Sequence, residues 1–384
     1  MRIVFFSNYL NHHQLPFCLA MDRLTGGEFT FVATMPMPES RKAMGYQDMD
    51  RQYPFVLATY GAPGAQEEAL ALAETCDVMI IGSAPEIYLR RRMAAGKLTF
   101  RYSERLYKKS YLSFFSPYGR KWMRRNHSIY KDKPLYMLCA SNYTAGDFGL
   151  SGVYRGKTYK WGYFPEVKKV DPHRLWEEKK EAEKPKLLWV GRLIGLKHPE
   201  AAVSVAAHLR RHGYDFEMNI IGSGEMETEL CQMIEGQGLQ SCVNLLGAMP
   251  PEQVRAYMEK SQIYLFTSDR GEGWGAVLNE SMNAACAVVA SHAAGSVDFL
   301  MRDGENGIIY KSGRQHRLNA AVRRLMDDEM LREKMGKNAS QTMTETWNAD
   351  AAAERLLSLC KALSDGGATP FEDGPCSIAK RVYL

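Results

Sequence analysis

The stretch Leu187-Leu188-Trp189-Val190-Gly191-Arg192-Leu193-Ile194-Gly195-Leu196-Lys197 decides the architecture of this chain. Four apolar residues read as a short buried strand. A glycine turn ends it, and two cations five residues apart flank the start of a helix. A strand buried on both faces and passing into a helix is the unit of a parallel sheet covered by helices. The unit recurs downstream at Phe216–Ile221, Val243–Leu246, Ile263–Phe266 and Ala287–Ala290, each followed by a helical pattern. It also recurs upstream: Ile3–Ser7 with Gln14–Leu24 as its helix, then Phe29–Ala33, Val56–Tyr60, Val78–Ile81 and Tyr136–Ala140. Between the two series, Lys168-Lys169-Val170-Asp171-Pro172 and the charged run Glu177–Lys186 read as an exposed connection. The expected fold class is therefore α/β: two Rossmann-like doubly wound domains in tandem, facing across a cleft. Ligands of such sheets bind outside the C-terminal strand ends. The expected domains are 1–168, 169–345, and a segment 346–384. The last holds a helix, Ala351–Leu363, able to cross back to the first domain, and a mobile Gly/Pro-rich tail over Ser364–Pro375.

Composition agrees with that division. At 384 residues the chain exceeds a single core, and 45% hydrophobic with 24% charged residues is the balance of a soluble protein. The run Ile3–Phe6 reaches Asn8 too soon for a secretory signal core, and no stretch of about 18 apolar residues exists to span a membrane. The expectation is a cytoplasmic protein, with attachment to the inner face of the membrane left open. The eight cysteines show no CxxC pair, which suits reduced thiols and neither disulfides nor zinc. The net charge of +5 conceals a concentration: Arg90 to Lys133 holds 14 Lys/Arg against Glu104 and Asp132, a local +12, so the remainder is about −7. Aromatic residues are interleaved through that window. It reads either as a solvated face over buried rings or as a patch that brings the acceptor side of the cleft to an anionic surface.

Two segments carry chemistry. In Glu272-Gly273-Trp274-Gly275-Ala276-Val277-Leu278-Asn279-Glu280, the glycines let backbone approach a ligand, and the apolar run after Gly275 reads as a helix start. One carboxylate in the loop and another about two turns along the helix can reach different hydroxyls of one ligand, because a carboxylate accepts paired bonds from a diol. The alternative is a plain glycine turn with two surface acids. In Gly191–Lys197 the two cations can neutralise a diphosphate from two sides, although basic residues in such loops are common.

Together these segments resemble the retaining glycosyltransferases of the two-lobed GT-B fold, family 4 (glycosyl transferases group 1). That family shows a GRL…K loop and then a Glu-x7-Glu motif. Here Arg192 and Lys197 precede Glu272 and Glu280 in the same order. Ile220-Ile221-Gly222-Ser223-Gly224 and Val243–Met249 are similar to its intervening turns, and Gly295–Asp298 and Asp303–Gly307 to its later loops. The resemblance covers about Leu187 to Gly313 and implies transfer of a sugar from a nucleotide donor, a UDP- or GDP-sugar, with no cofactor and no metal. Arg192 and Lys197 would hold the diphosphate and stabilise the leaving group. Glu272 would bind hydroxyls of the transferred sugar and Glu280 the ribose, with Gly191, Gly273, Gly275, Ala276, Val277 and Met249 completing the donor contacts. It also implies a glycan, lipid-linked or polysaccharide-precursor acceptor and retention of anomeric configuration.

The first half departs from the family. Its first strand–helix loop, Ser7–Gln14, has no glycine pair, and Ile81–Glu86 has no histidine, so no catalytic histidine transfers. His12, His13 and Glu104 are the acceptor-side candidates; each also reads as an ordinary capping or surface residue. Asp48-Met49-Asp50 precedes the strand at Val56 and reads as a surface loop, not a metal motif. Three other readings compete with it. A nicotinamide oxidoreductase lacks its third glycine after Gly222 and Gly224. A sugar phosphorylase or nucleotide-sugar epimerase would share the fold. A nonenzymatic nucleic-acid binder would rest on the basic window, but no nucleic-acid partner is expected.

Overall fold

The computed structural model describes residues 1–39 and 47–383. Two compact units emerge: residues 1–166 together with 347–384, and residues 167–346.

The first unit is built on a parallel sheet of order β3-β2-β1-β4-β5-β6-β7. Its strands are β1 (Ile3–Ser7), β2 (Phe29–Ala33), β3 (Val56–Ala58), β4 (Val78–Ile81), β5 (Thr99–Ser103), β6 (Leu135–Cys139) and β7 (Thr158–Lys160). β1 and β4 are buried along their whole length, as continuous apolar runs in a sheet covered on both faces must be. β5 lies inside the basic window, and its Arg101 is nonetheless buried. Both terminal nitrogens of its guanidinium donate to the Glu86 carboxylate, at 2.9 and 2.7 Å, and one also reaches the Asn126 carbonyl. The helix Ala349–Ser364, capped by the Asn348 side chain, packs on the helix Leu15–Thr25. The segment after it, expected to be mobile, leads into backbone bonds along β7: Lys160 N donates to Ser377 O, Cys376 N to Lys160 O and Ala379 N to Thr158 O.

The second unit carries a parallel sheet of order β10-β9-β8-β11-β12-β13. Its strands are β8 (Lys186–Val190), β9 (Glu217–Ile221), β10 (Val243–Leu245), β11 (Ile263–Phe266), β12 (Ala287–Ser291) and β13 (Ile308–Tyr310). The helix Pro199–Arg211 starts on a proline and buries Val203, Ala206 and Leu209 against Leu318 and Leu325, which are fully inaccessible. Each such aliphatic side chain contributes about 1.5–3 kcal/mol relative to exposure. Strand order reverses between β8 and β11, so the loops leaving their C-terminal ends flank the crevice where doubly wound sheets take ligands. Asp327 ends the helix Gln315–Asp327, and Asp328 caps the next, Glu329–Gln341, by accepting from Leu331 N.

The Asp48–Asp50 motif needs correcting. Asp50 is no surface residue but is 3% exposed, accepting from Leu10 N at 2.9 Å and from the Tyr60 hydroxyl at 2.5 Å. Those bonds compensate its burial, which still raises its pKa, and they pin the loop that carries His12 and His13.

Candidate functional site

The loops after β8 and β11 are stitched together before any ligand is considered. Thr267 donates its hydroxyl to the Lys197 carbonyl at 2.6 Å and accepts from the Trp189 indole at 2.8 Å. Asp269 N donates to Leu196 O, and the Asp269 carboxylate accepts from Gly271 N at 2.6 Å. The turn Gly222–Gly224 closes against the same region: Leu193 N donates to Ser223 O and Met226 N to Leu193 O. Glycine is required there. Gly222 has φ +141°, and a Cβ would lie 1.8 Å from the Gly191 carbonyl oxygen. A Cβ on Gly224 would lie 2.4 Å from Leu193 O.

On this scaffold the predicted residues divide. Lys197 and Glu272, 75 positions apart, form an ion pair, and each side chain is 14% exposed. Ser268 adds a hydroxyl donor to the same Glu272 oxygen at 3.2 Å. Arg192 is exposed and has no ion-pair partner among the described residues, so its guanidinium is available to an anion. Gly191 sits in the turn between, and its amide donates to Ile221 O. Gly273 is buried beside Trp274, whose indole donates to Asn279 at 2.9 Å. Gly275 adopts φ +82°, and a Cβ there would lie 2.4 Å from the Phe266 ring. Ala276 caps the helix Val277–Asn283.

Glu280 lies in the first turn of that helix, not two turns along, because the chain is irregular until Ala276. Its carboxyl is partly buried. Burial raises its pKa, the nearby Arg255 guanidinium opposes the rise, and no described residue hydrogen-bonds the carboxylate. Arg255 itself donates to Asn283 at 2.8 Å. Met249 is partly buried in the loop after β10.

Sequence reasoning missed two members of this neighbourhood. His198 directly follows Lys197 and holds a left-handed backbone, φ 51°. Its ring bonds Glu200 at 2.7 Å and approaches Asp269 at 3.4 Å; the Glu200 bond chiefly raises its pKa. Ser268, in the loop after β11, is a direct partner of Glu272. A hydroxyl four residues before a motif glutamate was the available signal.

In the first unit the acceptor-side candidates converge on a residue no motif indicated. Tyr163 stacks on the His13 ring, with centroids 6.1 Å apart and planes at 5°, and donates its hydroxyl to Glu104 at 2.6 Å. Lys108 pairs with the other Glu104 oxygen at 2.5 Å. His12 packs on His13 with centroids 3.8 Å apart. His13, Glu104 and Tyr163 thus come from three loops leaving the C-terminal ends of β1, β5 and β7. Among the described residues no cluster of His, Cys, Asp or Glu has metal-ligand geometry, and no helix is long and apolar enough to cross a membrane.

Two parallel sheets of doubly wound order, with cations and a carboxylate at one switch point, define a two-domain Rossmann-like protein whose second unit suits an anionic, hydroxyl-rich ligand. Residues 173–342 match the family model for glycosyl transferases group 1. The alpha-D-kanosaminyltransferase of Streptomyces kanamyceticus is 31% identical over 181 residues, 47% of this chain and 46% of that protein. A Campylobacter jejuni 4-alpha-N-acetylgalactosaminyltransferase, named for an undecaprenol-diphosphate-linked substrate, is 28% identical over 44% of this chain and 45% of its own length. The chain spans less than half the length of the curated relatives it matches. Among solved structures, Anabaena HepE in complex with UDP superposes with a TM-score of 0.68 at 15% identity, covering 95% of this chain and all of that one. The lipopolysaccharide outer core galactosyltransferase WaaB gives 0.66 at 16% identity, over 93% and 98%. These likenesses show the fold.

Proposed function

We propose that the protein is a glycosyltransferase that moves a sugar from a UDP- or GDP-sugar to a lipid-linked or polysaccharide-precursor acceptor. The observation that carries this is the Lys197–Glu272 ion pair at the β8/β11 switch point, with Arg192 on the same loop as Lys197 and the two loops pre-joined by Thr267 and Asp269. The sugar C1–phosphate bond breaks as the acceptor oxygen bonds C1, and negative charge grows on the departing diphosphate. Lys197, held by Glu272 before that charge appears, and the exposed Arg192 stabilise it without a metal. Glu272 accepts from hydroxyls of the transferred sugar and gives up part of its hold on Lys197 as the phosphates arrive. Glu280 accepts from the ribose diol. Retention follows if the acceptor attacks from the leaving-group face and a donor phosphate oxygen takes its proton. The His13, Glu104 and Tyr163 cluster is the acceptor-side counterpart, with Lys108 balancing the carboxylate.

The test is calorimetry of the full chain with UDP and with GDP, against Arg192→Ala/Lys197→Ala. Two lost charge-assisted contacts should weaken the better nucleotide by about a hundredfold. A double variant that binds as tightly as the parent ends the diphosphate assignment. Turnover should persist in excess EDTA; loss restored by manganese would refute the metal-free scheme. The anomer of the product, read by NMR, decides retention.

A further inference from the structure

The basic window divides once its side chains are placed. Arg92, Arg101 and Arg105 are internal: Arg92 donates to the carbonyls of Cys76, Asp77 and Leu98, and Arg105 lies within 3.6 Å of the buried Asp147. A second group is different. The helix Pro117–Asn126 carries Arg120, Lys121, Arg124 and Arg125, all exposed, and no acidic residue. None of the four makes an ion pair with a described residue. Arg120 with Arg124, and Lys121 with Arg125, are like-charge pairs at i,i+4, which weaken a helix. A merely solvated face alternates signs; this one does not.

Beside the cations stand apolar side chains that the described residues leave largely or partly open. Leu112 is 77% exposed, Phe115 66%, Tyr118 80% and Trp122 38%. They fall on a short helix, Leu112–Phe115, and on the helix that follows a sharp corner at Ser116. The corner is fixed. Ser116 caps the second helix by accepting from Gly119 N, and a Cβ on Gly119 would lie 2.1 Å from Ser113 O. Below the exposed rings is a firm base: Phe114 packs on Tyr107, and Trp122 leans on His127, whose ring bonds the Tyr154 hydroxyl at 2.8 Å. Apolar surface next to unneutralised cations, on a rigid corner, has the chemistry of an interfacial anchor.

We propose that Leu112–Asn126 docks the first unit on the anionic face of a phospholipid bilayer, its four exposed apolar residues entering the interface while Arg120, Lys121, Arg124 and Arg125 meet headgroups. Charge selects this partner, because the cations complement acidic lipid and the adjoining rings suit the headgroup level. The proposal rests on the lipid-linked acceptor reading for its purpose, though not for its geometry.

Trp122 provides the assay, since the other five tryptophans are at most 3% exposed. The full chain is mixed with phosphatidylcholine vesicles, with and without about 30% phosphatidylglycerol. On acidic vesicles Trp122 emission should shift to the blue and be quenched by brominated acyl chains, and Trp122→Phe should abolish both. Replacing the four cations with Gln should lower partitioning about tenfold or more, given that each contributes near the surface. Leu112→Ser/Phe115→Ser should leave only binding that salt reverses. Thermal midpoints and UDP affinity of each variant should match the parent, so failure here stays distinguishable from failure of the donor site. Equal partitioning to neutral and acidic vesicles, or an unmoved Trp122 spectrum, overturns the proposal. So does salt-sensitive binding to single-stranded RNA without vesicle binding.

Discussion

Lys197 and Glu272 neutralise one another before donor binds, which gives their variants opposite signatures. On the proposed reading, Glu272→Ala removes a sugar contact and frees Lys197 for phosphate. It should cut turnover by about a hundredfold or more while changing UDP affinity by less than about threefold, measured by steady-state kinetics and calorimetry. Equal losses in both would remove Glu272 from the transferred sugar. Glu280 makes a second case. Burial raises its folded pKa above its unfolded value, so folding disfavours the ionised form. Its contribution to stability is full below the ordinary glutamate range and is lost as pH rises through the raised pKa. Glu280→Gln should therefore melt higher than the parent at pH 7–8 and equally at pH 4. It should also bind UDP about ten- to a hundredfold more weakly, as loss of charged bonds to a diol implies. The placement of Arg192, Lys197 and Glu272 after β8 and β11, and of Glu280 on the helix that follows, was legible because these residues sit in two short sequence segments next to apolar strands. That of Tyr163 was not, since its tie to Glu104 spans 59 positions and depends on β5 and β7 lying on either side of β6 in one sheet. Asp50 was misread for the same reason: an acid that looks solvated is satisfied by a backbone amide 40 positions away.

Among elements, the turn Gly222–Gly224 bears most directly on the site, because it sets how closely β9's exit approaches Gly191 and Leu193. Gly222→Ala must either move the Gly191 carbonyl or distort the turn. It should cost about 3 kcal/mol, lowering the melting midpoint by roughly 10 °C, and should weaken UDP binding through misplaced Arg192. Gly213→Ala is the control: its φ is +80° but a Cβ would meet nothing within 4 Å, so only backbone strain is added. Similar midpoints and affinities for the two would show that close approach is unimportant. Elements with unbroken apolar runs, such as β1, β4, β11 and β12, were visible in the sequence. β5 is not among the apolar runs of the sequence, because Arg101 hides its strand character until Glu86 and Asn126 are known to receive it. β7 and β13, three residues each, are too short to carry a period.

On the scale of the whole molecule, the sequence's local +12 separates into internal arginines that hold carbonyls and carboxylates, an exposed set of four gathered on one helix, and further cations spread over other elements. Composition alone cannot make that separation, because it counts a buried guanidinium and a solvated one alike. The two-unit plan was legible from strand–helix alternation, whereas the bonds of β7 to Cys376, Ser377 and Ala379 depend on pairing across more than 200 residues. Those late bonds bear on how the protein is made. Since residues 347–384 belong to the first unit, a ribosome that has delivered residue 346 has released everything the second unit needs. The first unit, begun earlier, still lacks the helix on Leu15–Thr25 and the strand-like partner of β7. The half synthesised first should finish last, holding apolar surface on Leu15–Thr25 open for the time it takes to translate the second half. Nascent chains stalled at increasing length and probed by limited proteolysis should therefore protect 167–346 before 1–166. Protection in the reverse order would mean that the first unit needs no help from its distant end.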